Sequence, residues 1–319
     1  MNTFKAFSKE HFLYLKAIAI LAVIVRHVGN FTEKTWFRPL GGIGVAIFLF
    51  CSGFGLSESY QKQGLHRFWR KKLLGVYLPY FVVEVIAGIV CRRSILDIVL
   101  GLVFVKHSHP YGWYMQYLIV CYLLFWLAYK WIPHQTARLI LFGVCSLASF
   151  VLLPNLQGEQ AISFLAGILF SVHGKSRLIP KDRALPVSKW VLWGIGLLIV
   201  SAVLLALKQL PVVRTQHHYV ITLLNLLLKS SFAAGVIAIT SVFAPFAKWV
   251  GFVGVISYEL YLLHGYSLSF IGENVFGTFL LSALGFLAIT FACSAIFHLL
   301  LKLPSAIQHK RKASEESKA

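Results

Sequence analysis

Ten stretches of this chain are apolar almost without interruption, at 11–29, 41–56, 73–91, 112–129, 139–153, 161–172, 190–207, 219–243, 250–270 and 278–301, with short polar connections between them. A helix needs about 20 apolar residues to cross the hydrocarbon core of a bilayer. The pattern predicts an all-α protein, a polytopic transmembrane helical bundle of about ten spans. Residues 92–108 break the series. Arg92 and Arg93 open that segment, and the apolar run behind them is too short to span comfortably. It is predicted to be an amphipathic helix lying at the outer interface. Residues 1–302 are then one transmembrane domain and 303–319 a polar cytoplasmic tail. The N-terminus runs directly into the first span with no small-residue cleavage pattern behind it, so no cleaved signal is expected.

Composition agrees: hydrophobic residues make up 58 % and charged residues 13 %, against about 25 % charged in a soluble domain. The mean hydropathy is +0.75. A net charge of +19 would by itself point to nucleic acid, but its distribution does not. With the spans above, 20 of the 30 Lys and Arg residues flank the N-terminal side of the bundle, seven flank the other, and three lie within spans. That asymmetry places both termini in the cytoplasm. The charge is a topology signal, and no nucleic-acid partner is expected. The five cysteines, Cys51, Cys91, Cys121, Cys145 and Cys293, are scattered with no metal-ligand spacing. They read as small apolar packing residues, and no metal is expected.

Titratable residues inside apolar segments carry the chemistry, because in lipid such groups face protein or a wet cavity. Lys16 and His27 are eleven steps apart in the first segment, so a helix places them on one face, about 16 Å apart along its axis. Histidine titrates near neutral pH, and its position opposite lipid fits proton transfer or nucleophilic chemistry; a hydrogen bond to a neighbouring helix is the structural alternative. The structural alternative for Lys16 is to snorkel toward the cytoplasmic headgroups, and for Arg26, next to His27, toward the outer ones. The second segment carries Gly41-Gly42, Gly44 and Ser52-Gly53-Phe54-Gly55, where small residues allow close helix packing and Ser52 could also bind a ligand. Arg67 and Arg70 precede the third segment at i and i+3, so one helical face could present two guanidinium forks to phosphate, unless they are only the cytoplasmic positive flank. Glu84 follows within that span. His107, His109, Trp113 and Tyr114 stand at the outer mouth of the fourth, where the aromatics could simply be an interfacial belt and two histidines without a third ligand do not make a metal site. In the ninth, Tyr258, Tyr261 and His264 recur every three residues beside Glu259, with Lys229 or His264 as the expected partner of that carboxylate. A polar interior of this kind serves either an intramembrane enzyme or a transporter.

These blocks, in this order, resemble the acyltransferase 3 family of integral membrane acyltransferases. Lys16-x10-His27 resembles the basic-x10-His marker of its first span, with Lys where many members have Arg. Gly44 to Phe54, Arg67-x-x-Arg70 followed by Tyr77-Leu-Pro79, Gly112-Trp113-Tyr114, and Ser257-Tyr258-x-x-Tyr261-Leu-x-His264 resemble its later blocks. Met115-Gln116-Tyr117 stands where longer members often carry an acidic residue. The resemblance implies an O-acyltransferase that takes an acyl group, acetyl by default, from acyl-coenzyme A in the cytosol and passes it to a hydroxyl of an envelope glycan or lipid-linked glycan. It makes His27 the catalytic base or acyl carrier, Lys16 a cation lining the donor channel, and Arg67 and Arg70 contacts to the donor phosphates. Ser52, Glu84, Trp113, Tyr114, Tyr258, Glu259 and His264 would line the channel or substrate site. The implied setting is a bacterial plasma membrane. The chain carries no extracytoplasmic hydrolase-like domain of the kind fused to some members, so a second transfer step would need a separate partner protein. Export of a glycan intermediate is the alternative.

Overall fold

The computed structural model describes residues 6–29, 37–106, 112–174, 187–242, 248–271 and 278–316, and among them every regular element is helical. Besides two single-turn helices, Asn155–Gly158 and Pro211–Arg214, they are in chain order α1 (Lys9–Val28), α2 (Arg38–Gln63), α3 (Phe68–Val90), α4 (Ile95–Leu102), α5 (Trp113–Trp131), α6 (Gln135–Leu152), α7 (Ser163–Leu169), α8 (Val187–Gln209), α9 (His218–Thr240), α10 (Lys248–Val255), α11 (Ser257–Ile271) and α12 (Phe279–Glu316). Two segments have the wider π turn, Leu73–Tyr77 within α3 and Phe170–Gly174 after α7. His107, His109 and most of the basic connection at 173–189 lie outside the described residues.

Each of the ten apolar segments carries helix, and seven helices are long and apolar enough to cross a membrane: α1, α2, α3, α6, α8, α9 and α12. The other three expected spans fall short for different reasons. α5 is rich in Trp and Tyr, which lowers its hydropathy. α7 has only seven residues before its π turn. The ninth segment is interrupted at Ile256, giving an eight-residue and a fifteen-residue helix. At 92–108 the helix is eight residues long, about 12 Å, too short to span. Ser94 caps its N-terminus by accepting from Asp97 N–H, and Lys106 Nζ donates to Asp97 Oδ1 at 2.6 Å. The hydrogen bonds from Lys106 and Ser94 hold the Asp97 carboxyl below the usual carboxylate range.

The chain forms two compact units: Met1–Phe68 with Tyr111–Val255, and Trp69–Pro110 with Ile256–Ala319. In the first, α2 is central and packs on α1, α7 and α9, while α1 also packs on α10 and α8 on α9. Glycines set the closest approaches, as the small residues of α2 foretell. A Cβ on Gly44 would lie 2.3 Å from the Ala19 carbonyl oxygen of α1, and one on Gly53 2.1 Å from the Phe164 carbonyl oxygen of α7. Backbone cannot yield there as a flexible side chain can. Gly53→Val is therefore expected to destabilise the protein by about 1–3 kcal/mol through overpacking, read as a fall in unfolding temperature in detergent micelles.

Arg138 sits on the first turn of α6 and is buried. Its Nε donates to the Ile132 carbonyl at 2.7 Å and its Nη2 to the Tyr60 hydroxyl at 3.3 Å. The guanidinium lies 4.3 Å from the Tyr129 ring centroid. This one cation ties the C-terminal ends of α2 and α5 to α6 through hydrogen bonds and cation–π attraction. In the second unit α11 packs on α12 and α3, and α3 on α4.

Candidate functional site

The first unit carries Lys16, His27, Ser52, Arg67, Trp113 and Tyr114. Lys16 and His27 both lie on α1, eleven residues apart as the sequence requires; His27 is buried in the last turn and Lys16 is half-buried. α1 and α2 run antiparallel: Phe12 stacks on Phe54 with ring centroids 4.7 Å apart, Ala19 meets Gly44, and Arg26 meets Gly41. Between these contacts Lys16 comes near Cys51. The next residue, Ser52, shares a hydrogen bond with the buried Tyr122 of α5. Nearer the start of α2, Phe48 meets Tyr114 with ring centroids 6.3 Å apart. The bundle thus brings Lys16, Ser52 and Tyr122 to one depth, and His27 to the depth at which α2 begins.

A cluster that the sequence does not announce lies at that same end of α2. Lys229 of α9 pairs with Glu159, and Glu159 Oε1 also accepts from Asn225 Nδ2 at 2.5 Å. Lys208, on α8 rather than in a loop, donates to Asn225 Oδ1 at 2.6 Å. Gln160 Nε2 donates to the Gly42 carbonyl at 2.9 Å, and the Lys229 side chain passes over the bare Gly42, where a Cβ would stand 2.5 Å from Nζ. Lys229 therefore pairs with Glu159, not with Glu259. The sequence signal for this cluster was a lysine inside an apolar helix that had to find an anion. A cavity of about 420 Å³ between α5, α6 and α7, lined by residues such as Gln116, Tyr117, Cys145 and Phe164, holds none of the candidate residues.

The expected helical face bearing both Arg67 and Arg70 is not formed. α2 ends at Gly64 with φ +59°, and the connecting turn carries Arg67 at φ +53°, in the left-handed region, before α3 begins at Phe68. Such a backbone is uncommon for a residue with a long side chain. Arg67 thus precedes the helix and Arg70 lies within it. Both side chains are exposed, and neither is paired among the described residues.

The second unit carries Arg70, Glu84, Tyr258, Glu259 and His264. Glu84 is buried and both its oxygens are engaged, Oε1 with Arg93 Nη1 at 3.4 Å and Oε2 with the Tyr266 hydroxyl at 3.1 Å. A carboxylate so held ties α3 to α11. Tyr258 donates to the Val76 carbonyl at 2.7 Å, inside the π turn of α3. The stripe expected at Tyr258, Tyr261 and His264 is helical, but His264 turns back on its own helix, its Nδ1 lying 2.6 Å from the Tyr261 carbonyl oxygen. Glu259 is partnered by His298 of α12 at 2.6 Å, a histidine close to the end of the last apolar segment.

No curated protein and no solved structure matches this chain. A family model described as an acyltransferase domain matches residues 12–299, which takes in every helix from α1 to the apolar part of α12 and all the residues described above. The chain belongs to the acyltransferase 3 family and is a helical membrane acyltransferase.

Proposed function

We propose that this protein takes an acyl group, acetyl by default, from acyl-coenzyme A on the cytoplasmic side and passes it to a hydroxyl of a cell-envelope glycan or lipid-linked glycan. The observation that carries this reading is the family match over residues 12–299 joined to a buried His27 on the same α1 face as Lys16. An imidazole has the basicity to take the proton of a sugar hydroxyl as the new C–O bond forms, and it can equally carry the acyl group as a transient acyl-imidazole. Lys16 supplies positive charge on the same helix face, about 16 Å away along the axis. Exposed, and unpaired among the described residues, Arg67 and Arg70 are available to the donor's phosphates, for which guanidinium forks are suited. The excess of Lys and Arg on one side supports a plasma-membrane topology of about ten spans with both termini in the cytoplasm. In that topology Arg67 and Arg70 face the cytosol, where the donor is, and His27 lies toward the far side.

Binding of radiolabelled acetyl-coenzyme A to the purified protein in lipid nanodiscs tests the donor side. Wild type is expected to bind, and Arg70→Ala to bind about tenfold or more weakly, the loss of one charge-assisted phosphate contact. Absence of any donor binding by wild type would sink the proposal.

A further inference from the structure

Several hydroxyls inside the spans of this protein bond back onto their own helix, and among the described residues the buried ones that find no partner are Ser230 of α9 and three on α12. Thr222, Thr240, Ser267 and Ser269 each donate to the carbonyl four residues earlier, and Ser241 to the one three residues earlier. Buried Ser and Thr ordinarily satisfy themselves in this way inside apolar helices. On α12, Ser282, Thr290 and Ser294 do not. All three are fully buried, and their hydroxyl oxygens have no hydrogen-bond partner among the described residues. Thr290 and Ser294 continue at the same four-residue interval into His298. There Nδ1 lies 2.6 Å from Glu259 Oε1, while among the described residues His298 Nε2 and Glu259 Oε2 are both buried without a partner.

This is a carboxylate-oriented imidazole. Because the carboxylate accepts at Nδ1, the free Nε2 is the acceptor of the neutral ring. Along α12 the three side chains stand about 6 Å apart by axial rise, a gap that one water closes with two hydrogen bonds of about 2.8 Å each. Unpaired polar atoms are disfavoured in a bilayer interior, and ordered water is what satisfies such atoms where protein does not.

We propose that Glu259, His298, Ser294 and Thr290 form a hydrated proton relay. Its chemical purpose rests on the acyl-transfer reading, whereas its hydration does not. Acyl transfer from a thioester to a hydroxyl breaks the C–S and O–H bonds and forms C–O, and the hydroxyl proton must end on the departing thiolate sulfur. With donor and acceptor on opposite sides of the membrane, that proton needs a route through the protein. His298 Nε2 takes it up from the water held by Ser294 and returns it on the donor side, and Glu259 stabilises the imidazolium formed between the two events.

Radiolytic hydroxyl-radical labelling in nanodiscs, read by mass spectrometry, tests this without any acceptor. Phe286 lies four residues before Thr290 on the same ridge and is fully buried, and Phe125 of the first unit is an equally buried control. Phe286 is expected to label several-fold faster than Phe125 in wild type, and the excess to disappear in Thr290→Val/Ser294→Ala. Equal labelling in wild type, with a rise in unfolding temperature of the double variant as dry hydroxyls are removed, would overturn the relay. Release of free coenzyme A from acetyl-coenzyme A in light and heavy water completes the test. A slower double variant with an enlarged solvent isotope effect supports proton delivery along the ridge, and unchanged turnover refutes it. If labelling is fast but wild type never turns over acetyl-coenzyme A, the acyl-transfer reading fails while the hydrated site stands.

Discussion

Replacement of His27 by alanine is expected to lower acyl transfer about 10²–10⁴-fold, the range that one positioned acid–base group contributes, while leaving donor binding and unfolding temperature unchanged. His27 occupies the last turn of α1, buried at the depth where α2 begins. The close approach of α1 to the glycine face of α2 is made by Ala19 and Val23 at Gly44 and by Arg26 at Gly41. Loss of the imidazole therefore removes chemistry and keeps the scaffold. His27→Gln is expected to be as inactive as the alanine variant, since an amide keeps a hydrogen bond but accepts no proton at neutral pH. The measurement is release of coenzyme A from radiolabelled acetyl-coenzyme A in nanodiscs, beside equilibrium donor binding. A His27→Ala protein that still turns over at the wild-type rate would remove the histidine from the mechanism.

The second large effect concerns stability. Lys229→Met is expected to destabilise the protein by about 3–5 kcal/mol, because it leaves the Glu159 carboxylate buried without its cation. Asn225 then holds that carboxylate by a direct hydrogen bond, and Lys208, bonded to Asn225, acts on it only through its charge. Glu159→Gln combined with Lys229→Met is expected to recover most of the loss, since a neutral amide beside a thioether needs far less solvation than a lone carboxylate. Thermal unfolding in one detergent, taken as a double-mutant cycle, gives the coupling between the two residues. If the double variant is as unstable as the single one, the pair stabilises through packing over Gly42 and not through charge.

The helices were legible because apolar runs flanked by cations leave little alternative in a membrane protein. The break at Ile256 was hidden for the same reason: the run from Val250 to Phe270 is apolar on both sides of it. Two residues before it the chain packs closely, since a Cβ on Gly254 would stand 2.0 Å from the Leu13 carbonyl oxygen of α1. Glycine spacing hints at such contacts without naming the partner. The positive φ at Arg67 left no trace because the turn places a long side chain where Gly or Asn is the usual signal. Among the site residues, Lys16 and His27 could be read from a single helix because both lie on it. The partners of Lys229 and Glu259 could not, being 70 and 39 residues away in sequence. A buried charge announces that it needs a counterpart, and only the tertiary fold says which one it finds. Glu159 had been hidden in a polar connection and His298 at the fringe of the last apolar run.

The wide turn at Leu73–Tyr77 has a geometric consequence for the second unit. A π turn is equivalent to one residue inserted into an α-helix, and each residue is worth about 100° of rotation. Arg70 lies before that insertion and Glu84 after it on the same helix. Deleting a single residue there would restore a regular α3 and swing Arg70 about a quarter turn around the axis relative to Glu84, and it would withdraw the Val76 carbonyl from Tyr258. One extra residue in the third helix thus works as an angular offset between its cationic entrance and its buried anion.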